Sequence, residues 1–364
     1  MYSEEDFYSL AVKNFINFSS GDATSVIARD HGLIGFARLL ACLHYCGIEC
    51  EETHMIALPD FTYTRNLNRW AAGFPYGCVI SLPQTSIPFI PIDFRPNCCG
   101  VIFAEIPSFT YELGDLRKCY IQIRRQHENI NENDLNKRNH FLGIYESRNT
   151  QKLYVLLHCS FKFVKERLYS EHNAFIDGVK SFDYLSGTLQ YLTEKSAESY
   201  YKEYVAFEKE TLPLREIIIQ ELFPDSHILF NRTHEGFFDI STILLGAYAD
   251  NESITYPLML SPEKDLYVIN SYKKIKIGCR DILCAPHGGG YALASVSSAN
   301  SYFSDSSTNN ETFLLGFENN CSFLTNNILD MPFNYRNSTI YDWCERYNMA
   351  TVTDVLRPII NLKL

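Results

Sequence analysis

"DILCAPHGGGYAL", residues 281–293, places one histidine between a proline and three glycines at the end of an apolar run. A His-Gly-Gly-Gly run suggests the oxyanion loop of an α/β-hydrolase, and accepting it would fix a parallel α/β fold. In that fold the loop follows an early strand and precedes a Gly-x-Ser-x-Gly nucleophile elbow. His287 instead stands late in a chain of 364 residues, and no such elbow follows it. The hydrolase order is excluded, so the fold and the role of His287 must come from the rest of the chain.

The chain is 46% hydrophobic and 21% charged, values of a globular protein with one large domain or two ordinary ones. No repeat and no composition shift divides it. The expectation is a single mixed α+β domain over residues 1–364, with a helical part at 1–54 and a core at 55–364. The opening "MYSEEDFYSL" is acidic rather than basic and apolar, and no uncharged apolar run reaches 18 residues. A cytoplasmic protein without a membrane partner is expected. Its 12 cysteines then read as reduced thiols. Cys42, Cys46, Cys50 and His54 have one-face helical spacing, but in "LIGFARLLACLHYC" small buried thiols are the better reading than a zinc site. The net charge of −11 argues against indiscriminate nucleic-acid binding while leaving room for local basic patches at 121–126, 162–167 and 271–280.

Apolar residues at three- and four-residue spacing predict helices in the first 50 residues. From 55 to 125 short β-branched runs such as "GCVISL", "GVIFAEI" and "KCYIQIRR" predict strands. "HENINENDLNKRN", 127–139, reads as a polar loop or a short helix. "HFLGIYES" and "KLYVLLHCSFKFV" predict an antiparallel pair across "RNTQ". Residues 180–222 read as mostly helical, and a polar loop is expected at 297–311.

Four of the 10 histidines sit at strand ends or turns: His140, His158, His234 and His287. "RPNCCGV" adds Cys98 and Cys99 in the same kind of setting. Neutral imidazoles with a thiolate suit a borderline transition metal. For each histidine alone, a structural hydrogen-bonded role is the simpler reading.

Taken in order, these segments resemble the RtcB-type RNA-splicing ligase family. The likeness is carried by "LPDFTYTRNLNRWAAGFPYGCVI" (58–80), with Pro59, Asp60, Gly73, Phe74, Pro75 and Gly77 kept. "RPNCCGV" (95–101), "NKRNHFLG" (136–143) and "HCSFKFVK" (158–165) continue it. It ends with His234-Glu235, "PHGGGY" (286–291) and "DMPFNYRNST…VLRPIINLKL" (330–364). The resemblance implies an α+β fold of the RtcB ligase type with a metal site in a central cleft. It implies a ligase that uses GTP and two manganese ions (zinc being the alternative) to join RNA 3′-phosphate or 2′,3′-cyclic phosphate ends to 5′-hydroxyl ends, in RNA repair or tRNA splicing. His287 would be the nucleophile that is guanylylated. Cys99 or Cys98, with His140, His158, His234 and Asp93, would hold the metals. Asn139, Ser271, Gly288, Gly289, Tyr335 and Lys363 would meet the nucleotide, and an archease-like activator is an expected partner.

The chain also departs from the family. The aspartate expected three residues before the cysteine is replaced by Arg95 or Pro96, and Tyr291 stands where the family has an arginine. The alternatives are therefore a metal- and RNA-binding paralogue with altered or lost catalysis, or a metal-dependent phosphodiesterase on the same scaffold.

Overall fold

The structure, a computed structural model, describes residues 4–292 apart from 86, 132–133, 136–138, 170–174 and 262–263, then 313–316, 322–325, 335–336 and 338–363. The loop expected at 297–311 lies outside the described residues. Helices and strands mix along the chain, as an α+β fold requires.

The N-terminal part holds α1 (Glu4–Lys13), a short β1 (Phe15–Asn17) and α2 (Ala23–Tyr45). Asp22 caps α2 by accepting from the Ser25 amide, which satisfies one of the free donors of the first turn. From Gly32 to Leu43 nearly every α2 residue is buried, the pattern of a helix enclosed by the fold. Cys42 and Cys50 are packed in that core, and the His54 ring faces the Glu52 carbonyl.

The chain continues through β2 (His54–Thr62), α3 (Leu67–Ala71), β3 (Tyr76–Ser81), β4 (Phe89–Pro91) and β5 (Gly100–Ile106). Then come α4 (Leu113–Gln126), α5 (Glu128–Asn131), β6 (Phe141–Ser147), β7 (Leu153–Cys159) and α6 (Lys162–Tyr169). Strands β8 (Lys180–Tyr184) and β9 (Gly187–Thr193) precede the long α7 (Glu194–Leu222). They are followed by β10 (His227–Thr233), β11 (Glu235–Asp239), β12 (Thr242–Leu245), β13 (Ala247–Asp250), β14 (Ile254–Met259) and β15 (Leu266–Ser271). The last are β16 (Ile275–Ile277), β17 (Arg280–Pro286), β18 (Phe313–Gly316), β19 (Ser322–Thr325) and β20 (Ala350–Leu362).

Two expectations are corrected. "KCYIQIRR" belongs to helix α4, because Leu116, Tyr120 and Ile123 bury one face at helical spacing and override the β-branched composition. Residues 180–193 are a hairpin, and α7 starts only at Glu194. Tyr184 pairs with Gly187, and Leu185 and Ser186 close the turn with φ of 47° and 55°, as a two-residue hairpin turn demands.

One sheet runs β1-β2-β3-β12-β11 and a larger one β10-β5-β7-β6-β20-β15-β14, with β19 also on β20 and β18 on β19. Pro358 lies inside β20, and the register with β6 shifts between Pro358 and Ile360. A residue without an amide proton is tolerated in a paired strand at such a bulge. Of the two apolar cores, one gathers α2 and α7 side chains, and the other surrounds the buried Trp343. No described helix is long and apolar enough to cross a membrane.

For the site, the register of four neighbouring strands is decisive. Gly100 of β5 pairs with Thr233 of β10 and with Cys159 of β7, while His158 of β7 pairs with Phe141 of β6. Cys99, His140 and His234 each stand one residue beyond a strand end, so all four side chains gather at one edge of the sheet.

Candidate metal centre

Cys99, His140 and His158 form a buried group whose ligand atoms lie within 4.8 Å of one another, a group that could hold a metal ion. The Cys99 Sγ is 3.1 Å from His140 Nε2 and 3.3 Å from His158 Nε2. His158 Nε2 is in turn 3.2 Å from His234 Nε2. The outer ring nitrogens set the tautomers. His158 Nδ1 lies 3.1 Å from the Asn139 carbonyl, which has no proton to give, so Nδ1 donates. His140 Nδ1 lies 2.7 Å from Asp134 Oδ1. Both rings therefore turn an Nε2 lone pair toward the thiol, which is how a histidine is prepared for a metal. One shared proton can satisfy only some of these contacts, whereas a cation satisfies them together.

Burial, then neighbouring histidine charge, holds the His158 and His234 pKa values well below the usual imidazole range. Both are thus neutral donors. Burial, then the Glu235 and Asp134 carboxylates, pushes the Cys99 thiol well up, an effect that a bound cation opposes by stabilising the thiolate. Among the described residues, His234 Nδ1 is buried with no hydrogen-bond partner.

His287 follows the last residue of β17 and joins the same edge. Pro286 pairs with Ala247, whose amide, with that of Gly246, donates to the His234 carbonyl. The His287 and His234 rings are consequently 4.6 Å apart between centroids. His287 Nδ1 is 2.9 Å from the fully buried Asp60 Oδ2, which also accepts from the amides of His287 and Gly288. Nδ1 donates there, and Nε2 is left as the free nitrogen, 3.4 Å from the Tyr76 hydroxyl.

The glycines have a packing reason of their own. A Cβ on Gly289 would meet the Arg336 carbonyl oxygen at 2.4 Å, and one on Gly290 would meet that of Asp60 at 2.4 Å. Gly290 also has φ +70°, a backbone region costly for other residues. The turn is thereby clamped between β2 and the segment at Arg336. Gly289→Ala should cost about 1–3 kcal/mol of stability by overpacking. Denaturant unfolding of the variant checks this, and an unchanged midpoint would mean that the turn is not held as described.

His140, His158 and His287 line one pocket at the strand ends. Its walls include Asn139, Gly288, Gly289, Tyr335 and Lys363, all expected from the sequence to be near a nucleotide. Tyr335 stacks on Tyr291 with centroids 5.1 Å apart. Lys363 is only 3% exposed, so it is not a frayed charged tail.

Three expected residues lie elsewhere. Cys98 adopts a left-handed backbone (φ 55°) and is packed in the larger apolar core, so Cys99 is the thiol at the cluster. Asp93 sits on a short turn where its carboxylate accepts from the Gln190 amide at 2.7 Å, because β9 runs beside that turn. Ser271 ends β15 and accepts from the Trp343 indole at 3.0 Å inside the second core.

Sequence reasoning gave no role to Asp134, Asp60 or Tyr76. Asp134 lies in the polar segment before His140, and burial, which raises its pKa, is outweighed by His140 and Lys165, which hold it well below the carboxylate range. Its carboxylate also accepts from the Ser160 hydroxyl at 2.8 Å. Its six-residue distance from His140 was the available signal. Asp134→Asn should weaken metal binding by ~10–100-fold, the usual effect of removing a ligand's supporting carboxylate. Competition with a chromogenic chelator measures it, and equal affinity would refute the support role.

The chain matches no known family model, and no curated protein sequence matches it.

Proposed function

We propose that this chain is a GTP-dependent RNA ligase of the RtcB type, joining 3′-phosphate or 2′,3′-cyclic phosphate ends to 5′-hydroxyl ends through a guanylylated His287. The observation that carries the reading is convergence. Cys99, His140, His158, His234 and His287 come from five separate segments and meet at one strand-end edge. Divalent cations, two manganese ions in the RtcB type with zinc as the other candidate, would be held by Cys99, His140, His158 and His234 and would neutralise charge on phosphoryl oxygens.

This chain's residues supply the rest. Asp60 holds the Nδ1 proton of His287, so Nε2 carries the lone pair for attack. An Nε2–P bond forms at the GTP α-phosphorus and pyrophosphate leaves. Where the end is a 2′,3′-cyclic phosphate, water first opens it to the 3′-phosphate; an oxygen of that phosphate then takes the guanylyl group and releases the imidazole. The 5′-hydroxyl finally attacks that phosphate, GMP leaves, and a phosphodiester remains. The cavity beside His287 gives the nucleotide an aromatic wall in Tyr335 and a cation in Lys363. RNA, GTP and an archease-like activator are the partners of this reading, in the cytoplasm. Incubation of the purified chain with α-labelled GTP and manganese tests it, the expected result being an acid-labile label on the protein.

One observation favours a second reading, a metal-dependent phosphodiesterase or an RNA-binding protein without catalysis. The residues just before Cys98 and Cys99 are Arg95, Pro96 and Asn97, and the nearest preceding carboxylate, Asp93, is engaged by Gln190. Metal and RNA binding without a covalent label would select it.

A further inference from the structure

A second cleft of about 480 Å³ shares Asn139 and His140 with the cavity at His287 and none of its other walls. Two separate openings therefore reach one imidazole of the metal group. The second is polar, and its charges do not balance once the ion pairs are counted. Asp134 is taken up by His140, Ser160 and Lys165, the last at 2.5 Å. Glu235 accepts from Arg69 at 3.1 Å and from Asn97 at 2.5 Å, and the Arg69 charge helps hold its pKa down at about 2 against burial. Glu166 is paired with Lys162 at 2.7 Å.

Arg95 is the exception: the buried Asp93 carboxylate feels its charge but makes no ion pair with it. The Arg95 guanidinium lies over the Tyr169 ring at 5.6 Å, and the Asn68 amide, once turned so that its oxygen faces Arg95, accepts from it at 2.6 and 2.7 Å. Among the described residues no carboxylate lies within ion-pair distance of it. Two of its five N–H donors are used by Asn68, and the others remain for a ligand. Its backbone is held at φ 48° by its amide on the Ile92 carbonyl and by Arg69 on its own carbonyl at 3.2 Å.

We propose that this cleft seats the terminal phosphate of an RNA strand, with Arg95 as its main anchor and Asn139 and His140 at its inner end. A planar guanidinium with free parallel donors suits a phosphate better than any neutral group. A terminal phosphomonoester, carrying more charge than an internal diester, is the matching ligand. The proposal deepens the ligase reading and rests on it only for the identity of the strand. It gives the phosphate end an approach separate from that of the nucleotide.

The test uses the full chain with its metal and two fluorescent single-stranded RNA oligomers of one sequence, one ending in a 3′-phosphate and one in a 3′-hydroxyl. By anisotropy the phosphate end should bind tighter by ~10-fold or more, as expected for a charge-assisted contact. Inorganic phosphate should compete with it. Arg95→Gln should bring the two ends close to parity without changing metal content. Arg95→Asn, a residue that tolerates the left-handed backbone, should do the same. Equal binding of both ends by the unchanged protein, or a preference that survives both substitutions, overturns the proposal. Arg95-dependent preference in a chain that GTP does not label would sink the ligase reading and leave the phosphate subsite standing.

Discussion

On the proposed ligase reading, His287→Ala should abolish covalent labelling by GTP and lower RNA joining by about three orders of magnitude or more, the scale on which loss of a nucleophile acts. The expectation follows from the ring's environment rather than from its presence alone. Asp60 fixes the Nδ1 proton, the clamped glycine turn fixes the ring, and Nε2 is left within reach of the Tyr76 hydroxyl and the cavity. A label on this nitrogen would be a phosphoramidate, stable to base and lost in acid or hydroxylamine. The measurement is a gel of the chain after incubation with α-labelled GTP and manganese, before and after acid. Alanine leaves the turn's glycines and the amide contacts of Asp60 in place but removes a buried ring and one partner of that carboxylate, so a stability loss of about 1–3 kcal/mol is expected and thermal unfolding must show that the variant is still folded. Retention of an acid-labile label in the folded variant would move the nucleophile to another residue.

How much of this was legible in the sequence differs by level. The β6–β7 hairpin was readable, because two apolar runs flank the polar "RNTQ" turn. The β8–β9 hairpin was not, since its turn is Leu185-Ser186 rather than the Asn-Gly or Asp-Gly that marks such turns. In α4 the helical period was present in Leu116, Tyr120 and Ile123, but Ile121, alternating with Ile123 as in a strand, obscured it. Cys99, His140, His158, His234 and His287 could be picked from their strand-end settings, yet nothing local placed them together. Their meeting depends on register between strands far apart in the chain. Supporting groups were harder still. Asp134 looks like any acid of a solvated loop, and only the fold buries it against His140. Conversely Ser271 and Asp93 lie close in sequence to plausible site segments and are turned into cores or turns by their own neighbours.

Adjacent cysteines give the sharpest test of the metal group. Cys99→Ala should weaken metal binding by ~100-fold or more, since removing a ligand costs more than the ~10–100-fold of losing a supporting partner. Cys98→Ala should leave metal content unchanged and cost about 1 kcal/mol through the small cavity left in the apolar core. The contrast has a structural cause. The Cys99 sulfur lies against two imidazole nitrogens, whereas the neighbouring Cys98 thiol is enclosed with Tyr204 and apolar side chains under α7. Elemental analysis of the purified proteins gives the stoichiometry. A second readout, independent of any activity, is stability with and without a chelator. A metal present at 100 times its dissociation constant stabilises the folded chain by about 2.7 kcal/mol, and that increment should vanish on chelation. The parent chain and Cys98→Ala should both show the chelator-sensitive step, and Cys99→Ala should not. If Cys98→Ala loses the metal while Cys99→Ala keeps it, or if chelator changes none of the three, the cluster of Cys99, His140 and His158 is a hydrogen-bonded core feature and the reactions proposed around it have no foundation.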